Sequence, residues 1–278
     1  MKKVVLFSVI VVLLGGLTLI NFRHGGEGPT PLATGAEPTF LEIELTHMAD
    51  DGTLPAQQIV TIEYDHFFKT AKQYHAVSLR QLLDPYMQQL GVDANSDAVV
   101  TFYCTDGYKP MQKLKELLAG EGYLALRDEA EAAQAWPDSV REKMAPFYLV
   151  WKNLPYEDDS LTWPYGLYKI KIDKFDDTYN PIRPKDNAKA MAGFEHFEHY
   201  CIKCHPINRI GGNVGPDMNY PKNITDYWEV ENIWAYAKDP QSFRYNARMA
   251  PVTPLTRAEF DQIIAYLRYI RQVKPEAG

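Results

Sequence analysis

Cysteine is scarce in this 278-residue chain: there are three, and only Cys201 and Cys204 stand close together. A structural zinc site normally takes four protein ligands, and no second cysteine pair is present to complete one. An excess of positive charge is also missing. Asp and Glu number 36 against 29 Lys and Arg, a net charge of −7, which argues against a nucleic-acid partner and for one with a basic docking face. Near the N-terminus, Lys2 and Lys3 precede an apolar run from Val4 to Ile20, and the following Asn21-Phe22-Arg23-His24 offers no Ala-x-Ala cleavage site. Residues 1–23 are therefore expected to remain as a signal anchor with the lysines on the cytoplasmic side. A cleaved signal is the alternative. Residues 24–38, rich in Gly, Pro and Thr, read as a flexible tether. The remaining length suffices for two domains of globular composition, 46% hydrophobic.

What is present is most specific at Cys201-Ile202-Lys203-Cys204-His205. C-x-x-C-H is the pattern by which one c-type haem is attached covalently. Residues three apart on a helical turn share a face, so both thiols can form thioethers to the vinyl groups of one porphyrin. His205 then supplies the proximal imidazole.

From about Asn187 to Gln272 the chain resembles a class I cytochrome c domain at four places. Gly193 and Phe197 lie on one helical face before the motif, and Gly211-Gly212-Asn213-Val214-Gly215-Pro216-Asp217 follows it. Arg248-Met249-Ala250-Pro251 comes next, and Thr256–Gln272 reads as a C-terminal helix opened by a Thr256/Glu259 capping box. The resemblance implies an all-α cytochrome c domain over 187–278. In it, Gly193 lets the last helix cross closely, with Ile263 and Tyr266 meeting Gly193 and Phe197. The Pro216 carbonyl accepts the His205 Nδ1 hydrogen and Met249 is the distal ligand. Met191 and Met218 are weaker candidates, and core filling is the ordinary role of a methionine. Covalent haem attachment further implies export to the periplasmic side of the inner membrane.

Residues 39–175 read as an α+β domain, with 176–186 as a linker. Strand patterns occur at Phe40–Leu45, Ile59–Tyr64, Ala98–Cys104, Phe147–Trp151 and Leu167–Asp173. Helices are expected after a Ser78 cap and from Pro110 to Gly120. Val77–Leu83, Val99–Tyr108 and Pro146–Trp151, in that order, resemble the molybdopterin-binding fold of the sulfite oxidase family. That family's molybdenum-ligating cysteine lies before the Val-x-Leu segment, and no cysteine occurs between Glu63 and Val77. The domain is therefore expected to lack molybdopterin. Cys104, at the end of an apolar strand, reads as a buried inert thiol; a metal or pterin ligand is the competing role. His47, His66, His75, Asp65 and Asp106 are candidates for lining a pocket, and His196 and His199 read as exposed.

Two functions follow from different classes. One is an anchored electron-transfer protein with His205/Met249 ligation, no catalytic residues of its own and a docking N-terminal domain that meets a redox partner protein. The other is a haem-coupled oxidoreductase, with molybdopterin or another metal in the N-terminal domain acting on a small substrate. A sensor or peroxidase with displaced Met249 is a third possibility.

Overall fold

The computed structural model describes residues 38–131, 135–155, 158 and 160–274. The expected anchor, and the tether up to Glu37, lie outside the described residues. No helix among those described is long and apolar enough to cross a membrane.

The N-terminal half is a curled antiparallel sheet with helices laid against it. Its elements are β1 (Phe40–Glu44), α1 (Leu45–Asp50), β2 (Gln58–Ile62), β3 (Lys72–Ser78), α2 (Leu79–Leu90), β4 (Val99–Cys104), β5 (Met111–Lys113), α3 (Leu114–Ala119), β6 (Glu121–Asp128), α4 (Arg141–Met144), β7 (Phe147–Lys152) and β8 (Tyr165–Asp173). The strand order is β2-β3-β6-β7-β8-β4-β5, with β1 also paired to β8. Every pairing is antiparallel, including β4 to β8 with Val100 opposite Ile172.

Side-chain alternation explains how one sheet supports two cores. Along β7, Phe147, Leu149 and Trp151 enter one cluster with Leu82, Leu83 and Leu117, while Tyr148 and Val150 enter a second with Tyr74 and Trp136. Successive strand side chains point to opposite faces, so the continuous apolar run of β7 is a strand buried on both sides.

Ser78 caps α2 as expected, its hydroxyl accepting from the Gln81 amide at 3.4 Å, and Gly91 ends it in the left-handed conformation. The helix expected from Pro110 is corrected. Met111–Lys113 is strand β5, paired to β4 with Gln112 opposite Val100, and the helix begins only at Leu114. Pro110 donates no amide, but its carbonyl accepts from Phe102 at 2.9 Å, which extends the pairing backward.

Beyond β8 the chain is helical: α5 (Ala188–Tyr200), α6 (Val230–Lys238), α7 (Pro240–Phe243) and α8 (Arg257–Ile270). Asn187 caps α5 through Ala190, and the Thr256/Glu259 capping box opens α8. Helices α5 and α8 cross at Gly193, where a Cβ would lie 2.6 Å from the Gln262 carbonyl carbon and 2.9 Å from Tyr266 Cβ. Gln262 and Tyr266 are the nearest neighbours of Gly193 at the crossing, and Ile263 is buried with Phe197 and Tyr266 in the same core. The Tyr266 ring packs on Phe194 and Phe197 at 5.5 and 5.6 Å between centroids. Tyr179 and Ile182, in the stretch expected to be linker, are buried in this same core, and the Ile182 carbonyl accepts from the Tyr266 hydroxyl at 3.1 Å.

Candidate haem-binding site

The Cys-x-x-Cys-His segment extends α5 by a turn. Cys201 and Ile202 donate their amides to the Phe197 carbonyl at 2.8 and 2.9 Å, and Cys204 and His205 donate to the Cys201 carbonyl at 3.0 and 2.9 Å. Ile202 is buried in the C-terminal core and anchors the turn. Both thiols are free. Burial pushes the Cys201 thiol up to about 12, helped by the neighbouring Cys204 and opposed by Lys203.

The loop from Gly211 to Pro216 folds back over this turn. Gly212 donates to the Ile202 carbonyl at 2.8 Å and Gly215 to the Cys204 carbonyl at 2.9 Å. Gly215 then lies flat against the His205 ring: a Cβ there would come within 2.5 Å of Nδ1 and 2.8 Å of Nε2. His205 is 9% exposed, and its pKa is lowered by burial, against the opposing pull of the Pro216 carbonyl. Burial thereby favours the neutral form of the ring. Its Nδ1 lies 3.0 Å from the Pro216 carbonyl oxygen; a carbonyl only accepts, which assigns the proton to Nδ1 and leaves the Nε2 lone pair for a metal.

A polar network missed by the sequence reading fixes this loop. The Asp217 carboxylate accepts from the amides of Asn208, Arg209, Asn219 and Tyr220. Asn219, fully buried, donates to the Ile270 carbonyl at 3.0 Å and to Asn208 Oδ1 at 2.8 Å. Asn223 donates to the Leu267 carbonyl at 2.8 Å. The histidine loop is thereby tied to the end of α8.

Met249 is half-buried in a non-helical segment between α7 and α8. Past it, Val252 donates to the Ala237 carbonyl at 2.9 Å, and the Lys238 ammonium donates to the Val252, Thr253 and Leu255 carbonyls. Met191 and Met218 pack against the C-terminal core, whereas Met249 is outside that cluster. Two free thiols and an imidazole oriented by Pro216 are donors that suit a covalently held iron porphyrin.

The N-terminal candidates do not converge. Among the described residues no group of three or more His, Cys, Asp or Glu is placed to hold a metal ion. Asp65, fully buried, accepts from the Phe67 and Phe68 amides at 2.8 and 2.9 Å and from the Tyr74 and Tyr148 hydroxyls at 2.7 and 3.2 Å; it holds that half's second core together. His66 stacks on Trp163 at 4.5 Å, His75 pairs with Glu129 and Arg127, and His47 is exposed. Asp106 closes a local turn by accepting from the Tyr108 amide at 2.9 Å. His199 is exposed, and half-buried His196 lies 3.8 Å from Glu259. Cys104 is buried, and burial raises its pKa well above the thiol range, with Asp106 and then Cys204 adding to the shift.

The loop after β4 meets the Cys201–His205 turn directly. The Lys109 amide donates to the Lys203 carbonyl at 2.9 Å, and the Asn213 amide to the Gly107 carbonyl at 3.0 Å. Met111 of β5 packs against the C-terminal core.

No curated protein matches the chain. Residues 190–271 match the family model described as Cytochrome c, a match that does not extend to residues 39–175. It supports a C-terminal cytochrome c domain over this stretch, with haem c as its cofactor and electron transfer as its work.

Proposed function

We propose that this chain is a membrane-anchored c-type cytochrome on the periplasmic side of the inner membrane. One haem is held by thioethers to Cys201 and Cys204, with His205 and Met249 as axial ligands, and single electrons pass to and from a redox partner protein. Residues 39–175 serve as a cofactor-free docking or covering domain. The observation that carries the reading is the buried His205 in the Cys-x-x-Cys-His turn, its Nδ1 held by the Pro216 carbonyl so that Nε2 is the nitrogen left for a metal.

When bound, the haem supplies an iron that cycles between ferric and ferrous states. The chain's own residues set the conditions. The Pro216 carbonyl orients the imidazole and raises its basicity as a ligand. Met249 is a soft, neutral thioether donor that favours ferrous iron and raises the potential. With His205 and Met249 both engaged, substrate has no open coordination position, which favours electron transfer over catalysis at iron. Lys2, Lys3 and the uncharged run after them support the anchor and its orientation.

Elemental analysis of protein matured in a host competent for cytochrome c assembly tests the reading, with about one iron per chain and no molybdenum expected. Stoichiometric molybdenum would instead make the chain an oxidoreductase. Met249→Ala is expected to keep its haem while the reduction potential falls by on the order of 0.1 V or more. An unchanged potential and low-spin spectrum would remove Met249 from the ligand set.

A further inference from the structure

Resting on the cytochrome reading above, we infer that Lys238 is a positioning residue for the distal ligand: its ammonium clamps the stretch after Met249 and so sets how readily the thioether leaves the iron. The methionine's own stretch does not fix itself. Among the described residues, no backbone hydrogen bond reaches residues 248–251, so their place is set from the two ends. On the N-terminal side the Ala247 amide donates to the Arg244 carbonyl at 2.9 Å, closing one turn of largely exposed chain.

On the C-terminal side the anchor is Lys238. The stretch Ala250-Pro251-Val252-Thr253-Pro254-Leu255 contains two prolines, which have no amide to donate, so a regular element cannot form there and pair its carbonyls. An ammonium has three N–H donors. Lys238 sends them to the carbonyls of Val252, Thr253 and Leu255 at 3.2, 2.6 and 3.0 Å. Ordering a long lysine side chain costs rotamer entropy, and three charge-assisted bonds to one short stretch are the mark of a strut rather than of a solvated surface charge.

Both ends of the strut are seated. Lys238 lies in the last turn of α6, where a cation suits the carbonyl end of a helix, and its Nζ stands 5.3 Å from the Trp234 ring centroid. Leu255 is sunk in the C-terminal core, and the Val252 amide adds a bond to the Ala237 carbonyl at 2.9 Å. Val252 comes three positions after Met249, a span of at most about 11 Å. A closed clamp therefore confines the methionine, and its release requires the segment to open locally.

The test uses the haem-loaded full chain with imidazole as probe. Imidazole reaches ferric iron only when the thioether is off, so at high imidazole its binding rate meets a ceiling set by opening of the Met249 segment. No electron moves: the Fe–S bond breaks, an Fe–N bond forms, and the thioether leaves as a neutral side chain. In Lys238→Leu, which drops the ammonium and keeps an apolar stem near Trp234, the ceiling is expected to rise roughly tenfold or more, the weight of about one ordinary hydrogen bond. The weak red charge-transfer band of a thioether-ligated ferric haem loses intensity, and the Val252 amide exchanges with deuterium faster. Lys238→Arg keeps the charge on a planar fork that cannot converge on three carbonyls; it falls between, and carries the test alone if the leucine variant does not mature. Arg257→Leu removes the other cation over Trp234, 5.6 Å from the ring, with its Glu231 and Asp261 pairs, and leaves the ceiling within about twofold. A ceiling unchanged by the lysine variants, or raised equally by Arg257→Leu, overturns the clamp while Met249 keeps its ligand role. A covalent-haem parent whose spectrum Met249→Ala leaves unaltered overturns both.

Discussion

Gly215 and the His205 imidazole occupy space that a single added methyl group would need. In Gly215→Ala the new Cβ meets the ring at Nδ1 and Nε2, so either the loop lifts or the imidazole tilts, and both break the Pro216 bond. The expected result is a haem still attached through Cys201 and Cys204, with a lowered potential and a partly high-spin spectrum. An unchanged optical spectrum would mean that the loop yields without moving the ring. Glu198 allows a pH test at the same scale. Its pKa is raised from 4.5, by burial first and then by Asp176, with Glu195 adding and Arg183 and Lys113 opposing. The folded protein holds this proton more tightly than the unfolded chain, so the stabilisation is full below the ordinary carboxylate pKa and disappears as pH rises through the raised one. Glu198→Gln is therefore expected to raise the melting temperature at pH 7 and to lose that advantage near pH 4, as thermal denaturation at the two pH values would show. Legibility at this scale follows the range of the chemistry. Cys201, Cys204 and His205 announce themselves because the C-x-x-C-H pattern gathers them in one pentapeptide. Asn219 and Asn223 do not, because their meaning lies in carbonyls of α8 more than forty residues away.

Helices and strands were legible where a local signal agreed with the tertiary setting. The Ser78 cap and the Thr256/Glu259 box mark helix starts that the structure keeps. Strands β3, β5 and β6 escaped notice for different reasons. Lys72–Ser78 mixes Lys72, Gln73 and His75 with Tyr74, Ala76 and Val77 without a clean alternation, and the extra residue of its irregular pairing, Leu126, stands in β6. Glu121–Asp128 contains Leu-Ala-Leu, which reads equally as helix. Met111–Lys113 is strand because β4 offers it a partner, which no three-residue window can reveal. The α5–α8 crossing makes a quantitative prediction. Gly193→Val would drive two methyl groups into Gln262 and Tyr266, forcing apart helices whose aromatic contacts form the centre of the C-terminal core. Overpacking of this kind costs about 1–3 kcal/mol, and chemical denaturation should record at least that loss, since backbone atoms at the crossing have no rotamer to which they can retreat. A variant as stable as the parent would mean that the helices are not in this close contact.

At the scale of the whole molecule, the two halves are joined by main-chain bonds at the Cys201–His205 turn rather than by a loose tether. The Lys109–Lys203 and Asn213–Gly107 hydrogen bonds use backbone groups, so they depend on loop conformation and survive most side-chain changes; this is also why the junction leaves no mark in the sequence. Met111 adds the apolar part, reaching from β5 into the C-terminal core. Because the halves share this contact, they are expected to unfold in one cooperative transition. Met111→Asp places a carboxylate where the thioether packed, and the combined loss of packing and burial of charge is about 2–4 kcal/mol. Differential scanning calorimetry of the haem-loaded chain should then show the single transition split in two, with the helical half, cross-linked by its haem, melting last. If the parent already melts in two steps, the bonds across the turn do not couple the halves. If Met111→Asp lowers a transition that stays single, the coupling runs through the backbone bonds alone, and the β4–β5 loop is what holds the covering domain against the haem site.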